Sequence, residues 1–454
     1  VDVTEKHDRG VVDVFADLEA SLFASTDLGN AERFVDQHGT HVRHNRALGW
    51  LAWDGCRWRT DAASEVWQRA ALTVRTIGDA KWAARSEAWN RQRAMLELVQ
   101  HQPSILVQVE QLDARPWLFN VANGVLDLEA GTLRAHDPAD LLTKRSPVVY
   151  DPEAKSPKWD AFLEEVVPSS DVREFLQRAV GYSLTGLSIE QVLFLLYGVG
   201  ANGKTTFLEV VRAIAGDYGQ QTPAATLLSR RSDGIPNDVA RLRGARFVSA
   251  VETEANRTLA ESLVKRLTGG DKIAARFLFK EFFEFDTEFS LWLATNHRPR
   301  VRGTDHAIWR RILLVPFTTV IPDDEQDKHL TDTLIATELP GILAWAVRGC
   351  VAWRTQALDP PKEVIGATTE YRAEQDILGD FIAEMCDEVA DHVESAKNLY
   401  DAYRRWCDGN GERPETQKQF GMALAERGFE RPRTSSARQY KGLKIREQQN
   451  TATW

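Results

Sequence analysis

Between about residues 190 and 317, short apolar runs of strand length alternate with helical patterns. This is the order that a parallel sheet with crossover helices produces. Residues 191–197 form the first run, which breaks at Gly198 and resumes as a helical pattern after Gly203. Residues 246–252 and 289–295 form two more, ending at Glu252 and just before Asn296, and residues 312–317 form a fourth, behind Arg310 and Arg311. Residues 159–187 read as helices packed in front of this core. Residues 325–372 read as helices behind it, with Leu330, Leu334, Leu339, Ile342, Leu343, Trp345 and Ala346 on an apolar stripe and a break at Pro360-Pro361. Upstream the pattern is mixed α/β. Trp50, Trp53 and Trp58 recur in short strand-like steps, residues 62–102 are helical, and residues 119–133 read as a hairpin turning at Gly124 and Gly131. The tryptophans are read as core or strand-pair residues, since large aromatics contribute chiefly through burial. The expected units are an N-terminal α/β domain (1–150), a core with its helical entry (151–324, entered through the Pro-bounded linker 151–157), a helical segment (325–375) and a C-terminal domain (376–454).

The break after residue 197 carries the chemistry. Gly198, Gly203, Lys204 and Thr205 fit G-x-x-x-x-G-K-[ST], with Gly200, Asn202 and Thr206 inside or beside the motif. Glycines let several backbone N–H groups converge on one anion. Lys204 then reaches the outer phosphates, Thr205 offers a hydroxyl to Mg²⁺, and the helix presents its positive end. The spacing predicts a nucleoside triphosphate site. Such a site needs acids for Mg²⁺ and for the attacking water. Glu252 and Glu254, two apart on a strand, are the candidates, with Glu252 favoured and the two roles not separable. Asn296, at the carboxyl edge of a strand, is placed to hold water against the terminal phosphate. Arg310 or Arg311 is the candidate arginine finger for a neighbouring subunit.

Composition narrows the class. The 454 residues are 43% hydrophobic and 27% charged, as in ordinary globular chains. No apolar run approaches the roughly 20 residues that span a bilayer. Cys56, Cys350, Cys386 and Cys407 form no C-x-x-C pair, which argues against a zinc ribbon and for a reducing cytoplasm. The net charge of −10 excludes a uniformly basic surface but not a local one. A first residue of Val fits a piece of a longer chain.

In order, the phosphate loop, the Glu-x-Glu strand, Gly269-Gly-Asp-x-Ile-x-x-Arg276, the strand ending in Asn296 and Trp309-Arg-Arg311 resemble superfamily 3 helicases. More closely they resemble the helicase portion of phage and plasmid primases, related to the poxvirus primase–helicase. Residues 123–128, 147–152 and 339–345 extend that resemblance beyond the core. It implies an α/β fold: an AAA+-like P-loop ATPase core, assembled as a ring, usually a hexamer, that uses ATP and Mg²⁺ and moves 3′→5′ on single-stranded DNA. It implies Lys204 and Thr205 as phosphate and Mg²⁺ contacts, Glu252, alone or with Glu254, as the acidic motif, Asn296 as sensor and Arg310 or Arg311 as finger. Lys272, Arg276 and Lys280 fall near the pore hairpin, where Phe279 and Glu281 equally suit a subunit contact. The family often adds a primer-making domain, yet no paired-aspartate or zinc cluster precedes residue 150.

Residues 396–407 and 416–429 read as two helices, the second ended by Gly428. A basic ribbon follows, with Arg431, Arg433, Arg438, Lys441, Lys444 and Arg446, and Gly442 suited to a hairpin. This order suggests a winged helix for DNA, with Lys418 and Gln419 on its second helix, or else a protein-contact winged helix. The sequence thus reads as an ATP-dependent replicative helicase of a phage or mobile element in a bacterial cytoplasm, partnered by DNA, by further copies of itself and by a primase or other replication proteins. The alternatives are an origin-binding initiator that uses ATP only to assemble, and the helicase part of a primase–helicase.

Overall fold

The computed structural model describes residues 23–229, 237–252, 254, 257–275, 283–301, 306–429 and 439–446. The architecture is mixed α/β around one parallel sheet. Its strands are β1 (Leu193–Tyr197), β2 (Gly219–Gln221), β3 (Phe247–Glu252), β4 (Ser290–Thr295) and β5 (Ile312–Pro316), in spatial order β5-β1-β4-β3-β2. Every neighbouring pair is parallel. The chain leaves β1 through helix α1 (Lys204–Ala215) for the far edge, then works back, so β4 comes to lie between β1 and β3. The carboxyl ends of β1, β3 and β4 therefore converge, the place where ligands gather in such sheets.

Parallel sheets are buried on both faces, and the period of two divides these strands between two apolar layers. Phe194, Leu196, Trp292, Ala294 and Val315 face one layer, and Leu193, Leu195, Leu291, Leu293 and Leu314 the other. The first layer is covered by α1 and by the helices Pro157–Val166, Ser170–Ser183 and Leu339–Gln356. Phe119, Val121, Leu126, Val148 and Tyr150 join the same layer, so the apolar core is continuous across residue 150. The predicted hairpin is a three-stranded antiparallel meander, Leu118–Val121, Gly124–Asp127 and Thr132–Arg134, with positive φ at Gly124 and Gly131. Trp53 and Trp58 are cross-strand partners and Trp50 pairs with His44, so this cluster serves strand pairing.

Helices Leu330–Thr337 and Leu339–Gln356 meet at an 81° bend, and the second lies largely inside the core. Among the described residues no single helix is long and apolar enough to cross a membrane. Helix Lys362–Glu374 starts directly after Pro361, as the proline pair predicts. Beyond it stand helices Ile377–Met385, Ala396–Asn410 and Gln417–Glu426 over their own core of Phe381, Leu399, Tyr403, Phe420 and Leu424.

The C-terminal ribbon departs from expectation. Gly442 makes no hairpin turn. It lies inside strand Gln439–Ile445, opposite Val389, beside a register shift between Val389 and Val393. Its partner strand, Cys386–Ser395, is rich in acids and lacks the apolar alternation that marks a strand in sequence. Its φ of 104° is one that only glycine adopts at no steric cost.

Helices Ser170–Ser183 and Leu339–Gln356 cross at two glycines. A Cβ on Gly181 would sit 2.0 Å from the backbone nitrogen of Cys350, and one on Gly349 would sit 2.0 Å from the carbonyl oxygen of Gln177. Backbone cannot yield as a side-chain tip can, so Gly181→Ala is expected to lower unfolding free energy by about 1–3 kcal/mol, read by urea titration.

Candidate functional site at the strand ends

Three glycines shape the loop after β1 for different reasons. A Cβ on Gly198 would strike the Asn202 amide at 2.0 Å and the Phe317 carbonyl at 2.3 Å. One on Gly203 would meet Phe162 and Val166 at 2.7 Å, at a φ of 76°. Gly200, at φ 116°, faces open space. The loop is thus pressed from below by helix Pro157–Val166 and from the side by the chain after β5, whose Ile321 N–H donates to Ala201 O at 2.8 Å. Gly203 caps α1 without a side chain, which leaves the first N–H groups of the helix directed at the loop.

Lys204 is only 5% exposed. Its Nζ donates to Gly198 O at 2.8 Å and to Asn202 Oδ1 at 2.6 Å, and Asn202 in turn donates to Phe317 O at 3.1 Å. Burial pulls the ammonium down to about 8. No carboxylate lies within ion-pair distance of it among the described residues. A desolvated cation, an uncapped helix start and a glycine cradle fit an anionic ligand of phosphate type. Thr205 is exposed at the mouth, whereas the Thr206 hydroxyl shares a 3.1 Å hydrogen bond with that of Thr331.

The loop opens into a cleft of about 450 Å³ that Glu252 and Asn296 also line. Glu252, 7% exposed, ends β3 opposite Thr295, and its Oε1 accepts the Glu254 N–H at 2.6 Å. β3 stops at Glu252, so the i, i+2 argument does not extend to Glu254. The Glu254 side chain is 70% exposed, sits 3.5 Å from Arg257 and does not line the cleft. Only its amide serves the site. Phe162, Glu165, Glu325, Asp327 and Lys328 complete the cleft. They come from helices and loops that no motif in the sequence marks.

Two residues past Asn296, the Arg298 guanidinium lies 4.6 Å from the ring of Tyr197, the last residue of β1, and 2.5 Å from Glu374. Sequence reading passed over it. Its closeness to Asn296 was the one available sign.

Arg310 and Arg311 lie at the opposite end of the sheet from the loop. Arg311 O accepts the Leu193 N–H at 2.6 Å, at the start of β1, and its side chain is buried with Nη1 donating to Ala307 O at 2.7 Å. Arg310 is exposed. Neither can reach its own cleft. Lys272 is exposed just before strand Ile273–Ala275, which pairs antiparallel with Phe283–Phe285, while Arg276 and Lys280 fall outside the described residues. Lys418 is exposed on helix Gln417–Glu426, but Gln419 is engaged in that helix's capping box with Thr416. Lys441 sits 3.1 Å from Asp391 and Arg446 2.8 Å from Asp387, so the described part of the ribbon meets acids of strand Cys386–Ser395. Arg431, Arg433 and Arg438 also fall outside the described residues.

Three families match separate stretches: "D5 N terminal like" over residues 31–168, a family of unknown function (DUF5906) over 196–311, and "Poxvirus D5 protein-like" over 373–451. The protein L207/L206 of Acanthamoeba polyphaga mimivirus, which carries a provisional helicase name, is 29% identical over 66% of this chain and 34% of its own length. Protein 022R of frog virus 3, with a like name, is 26% identical over 69% of this chain and 41% of its own. Protein C962R of African swine fever virus, provisionally named a primase, is 26% identical over 45% of this chain and 22% of its own. The chain thus spans well under half the length of these relatives. They are viral, but they are not the phage proteins that the sequence reading expected, and they give a bacterial host no support. In fold, the chain is similar to the apo NrS-1 C terminal region (residues 305–718 of that protein), with a TM-score of 0.51, 10% identity, 90% of this chain and 98% of that one covered. By sequence, along two of these stretches and against helicase- and primase-named proteins of large DNA viruses, the chain bears a primase–helicase family resemblance of the D5 type.

Proposed function

We propose that this chain is the ATP-hydrolysing helicase portion of a viral DNA replication protein, working as a ring of copies, a hexamer by family resemblance, on single-stranded DNA in the 3′→5′ direction. One observation carries the reading: a buried ammonium behind an uncapped helix start shares a cleft with a buried carboxylate and a strand-end amide. In this reading the loop is a P-loop of an AAA+-like core. Backbone N–H groups of the loop and of α1 cradle the phosphates, and Lys204 turns from Gly198 O and Asn202 Oδ1 to the terminal phosphate oxygens. Thr205 and Glu252 are the residues that would hold Mg²⁺, which when bound neutralises charge on the phosphates. Glu252, oriented by the Glu254 amide, accepts the proton of the attacking water, and Asn296 holds that water in line. Arg310, exposed and distant from its own cleft, is the finger offered to the next copy, while Arg311 is held within its own fold.

DNA contacts are assigned to Lys272 with its hairpin in the pore, and to Lys418 and Lys441 on a winged-helix-like C-terminal unit. The rival reading is an origin-bound assembly factor that needs ATP only to form its ring. Strand separation on forked DNA separates the two: the native chain is expected to unwind with ATP, and Lys204→Ala to bind DNA without unwinding. A ring that binds in both forms and unwinds in neither would favour the assembly factor. Primer synthesis on a single-stranded template would instead assign a primase role.

The two arginines are expected to fail differently. Arg310→Ala should cut hydrolysis by roughly 10³–10⁵ with ATP binding kept. Arg311→Ala, which removes a buried hydrogen bond to Ala307 O, should lower the melting temperature first. Equal turnover of Arg310→Ala and native rings would refute the trans assignment.

A further inference from the structure

Trp82 and Trp89 stand seven residues apart in the N-terminal unit and are treated in opposite ways. Trp82 is buried, its Nε1 donates to Asn30 Oδ1 at 2.9 Å, and the Arg91 guanidinium lies 4.5 Å from its ring. This is how a structural indole is satisfied. Trp89 is 64% exposed at the first position of helix Trp89–Val99, whose Met95, Leu96 and Val99 make the core contacts. It therefore contributes little to the core. Its ring is parallel to that of Trp67 within 2°, with centroids 6.4 Å apart, and the Arg93 guanidinium lies 5.4 Å from it.

The charge around the pair has a sign. Residues 69–93 hold six lysines and arginines against two acids, in a chain whose net charge is −10. Arg93 meets the exposed Glu97 at 2.8 Å besides the Trp89 ring, and Arg75, at the last position of the helix that carries Trp67, meets the exposed Glu87 at 3.7 Å. Exposed pairs of this kind contribute little, so a phosphate can take the place of either carboxylate. Parallel indole faces flanked by replaceable guanidinium partners are what a splayed strand requires: an aromatic platform for the base and cations for its backbone.

We propose that Trp67 and Trp89, with Arg93, form a stacking platform for unpaired bases of single-stranded nucleic acid, outside the cleft and the C-terminal unit. A base laid on Trp89 takes the place that the Arg93 guanidinium holds over the ring and continues the parallel array, and Arg93 turns to the adjoining phosphate. The site needs no nucleotide, so it stands apart from the ATPase reading.

The test is fluorescence anisotropy with short single-stranded DNA and RNA oligonucleotides, on the full chain, without ATP and in the Lys204→Ala background. Trp89→Ala is expected to weaken binding roughly 5- to 150-fold, the loss of one aromatic–base stack. Trp89→Phe should retain most of it, and Arg93→Ala should flatten the salt dependence. An unchanged melting temperature for Trp89→Ala, expected from its exposure, ties the loss to the platform. Loss with either strand type supports the site, the more tightly bound type naming the ligand. Native affinity in Trp89→Ala would overturn it, as would a variant that loses only self-association, which would make the patch a contact between copies.

Discussion

A lysine ammonium held out of water, its hydrogen bonds among the described residues made to carbonyl oxygens, is the constraint on which the rest of this structure depends. Ions leave water only at a cost that grows with burial, and proteins meet that cost by pairing, by coordination or by giving up the charge. Lys204 is satisfied by Gly198 O and Asn202 Oδ1 but not neutralised, and its affinity for its proton falls accordingly. The position makes sense if the missing charge arrives with a ligand, which restores the ammonium in a place already shaped for it.

Holding that geometry recruits distant parts of the chain. Helix Pro157–Val166 leans on Gly203 through Phe162 and Val166, and the start of that helix is fixed by Glu338, whose carboxylate accepts the N–H groups of Lys158 and Trp159 at 3.1 and 2.9 Å. Gly198 is closed in by Phe317 O, beyond β5. Helix Lys362–Glu374 packs along β5 and the chain after β4: Thr368 receives the Leu314 N–H, Tyr371 donates to Pro299 O, and Glu374 meets Arg298. That helix leads directly into the C-terminal unit. Tyr197, Arg298 and Glu374 thus form a continuous physical link between the loop and that unit.

Four strands of the parallel core were legible because each is a short apolar run bounded by polar residues, whereas the edge strand Gly219–Gln221 is polar and carries no such mark; the loop was legible because its glycine spacing has few other uses. Glu252 and Asn296 could be read because strands in such sheets deliver their carboxyl ends to one place. What escaped the sequence is what depends on residues far apart. Glu338 capping a helix some 180 positions upstream has no local sign. Strand Cys386–Ser395 mixes acids with exposed Val389, Ala390 and Val393 and shows no alternation, so its pairing with Gln439–Ile445 is visible only in three dimensions, and Gly442, which suits a turn in isolation, lies in a strand opposite a register shift instead. Glu254 and Arg311 fit the pattern by spacing, yet one faces solvent because the strand ends too early and the other is turned inward by Ala307 O.

Calorimetry of MgATP binding in buffers of different ionisation enthalpy tests the central claim most directly. If Lys204 loses its proton near pH 8 in the free protein and regains it against phosphate, binding at about pH 9 takes up close to one proton, and at about pH 7 the Lys204 contribution vanishes. The uptake should be absent in Lys204→Met at both values, measured at concentrations high enough to saturate it. Binding whose proton uptake is the same in native and variant proteins at about pH 9 would contradict the account.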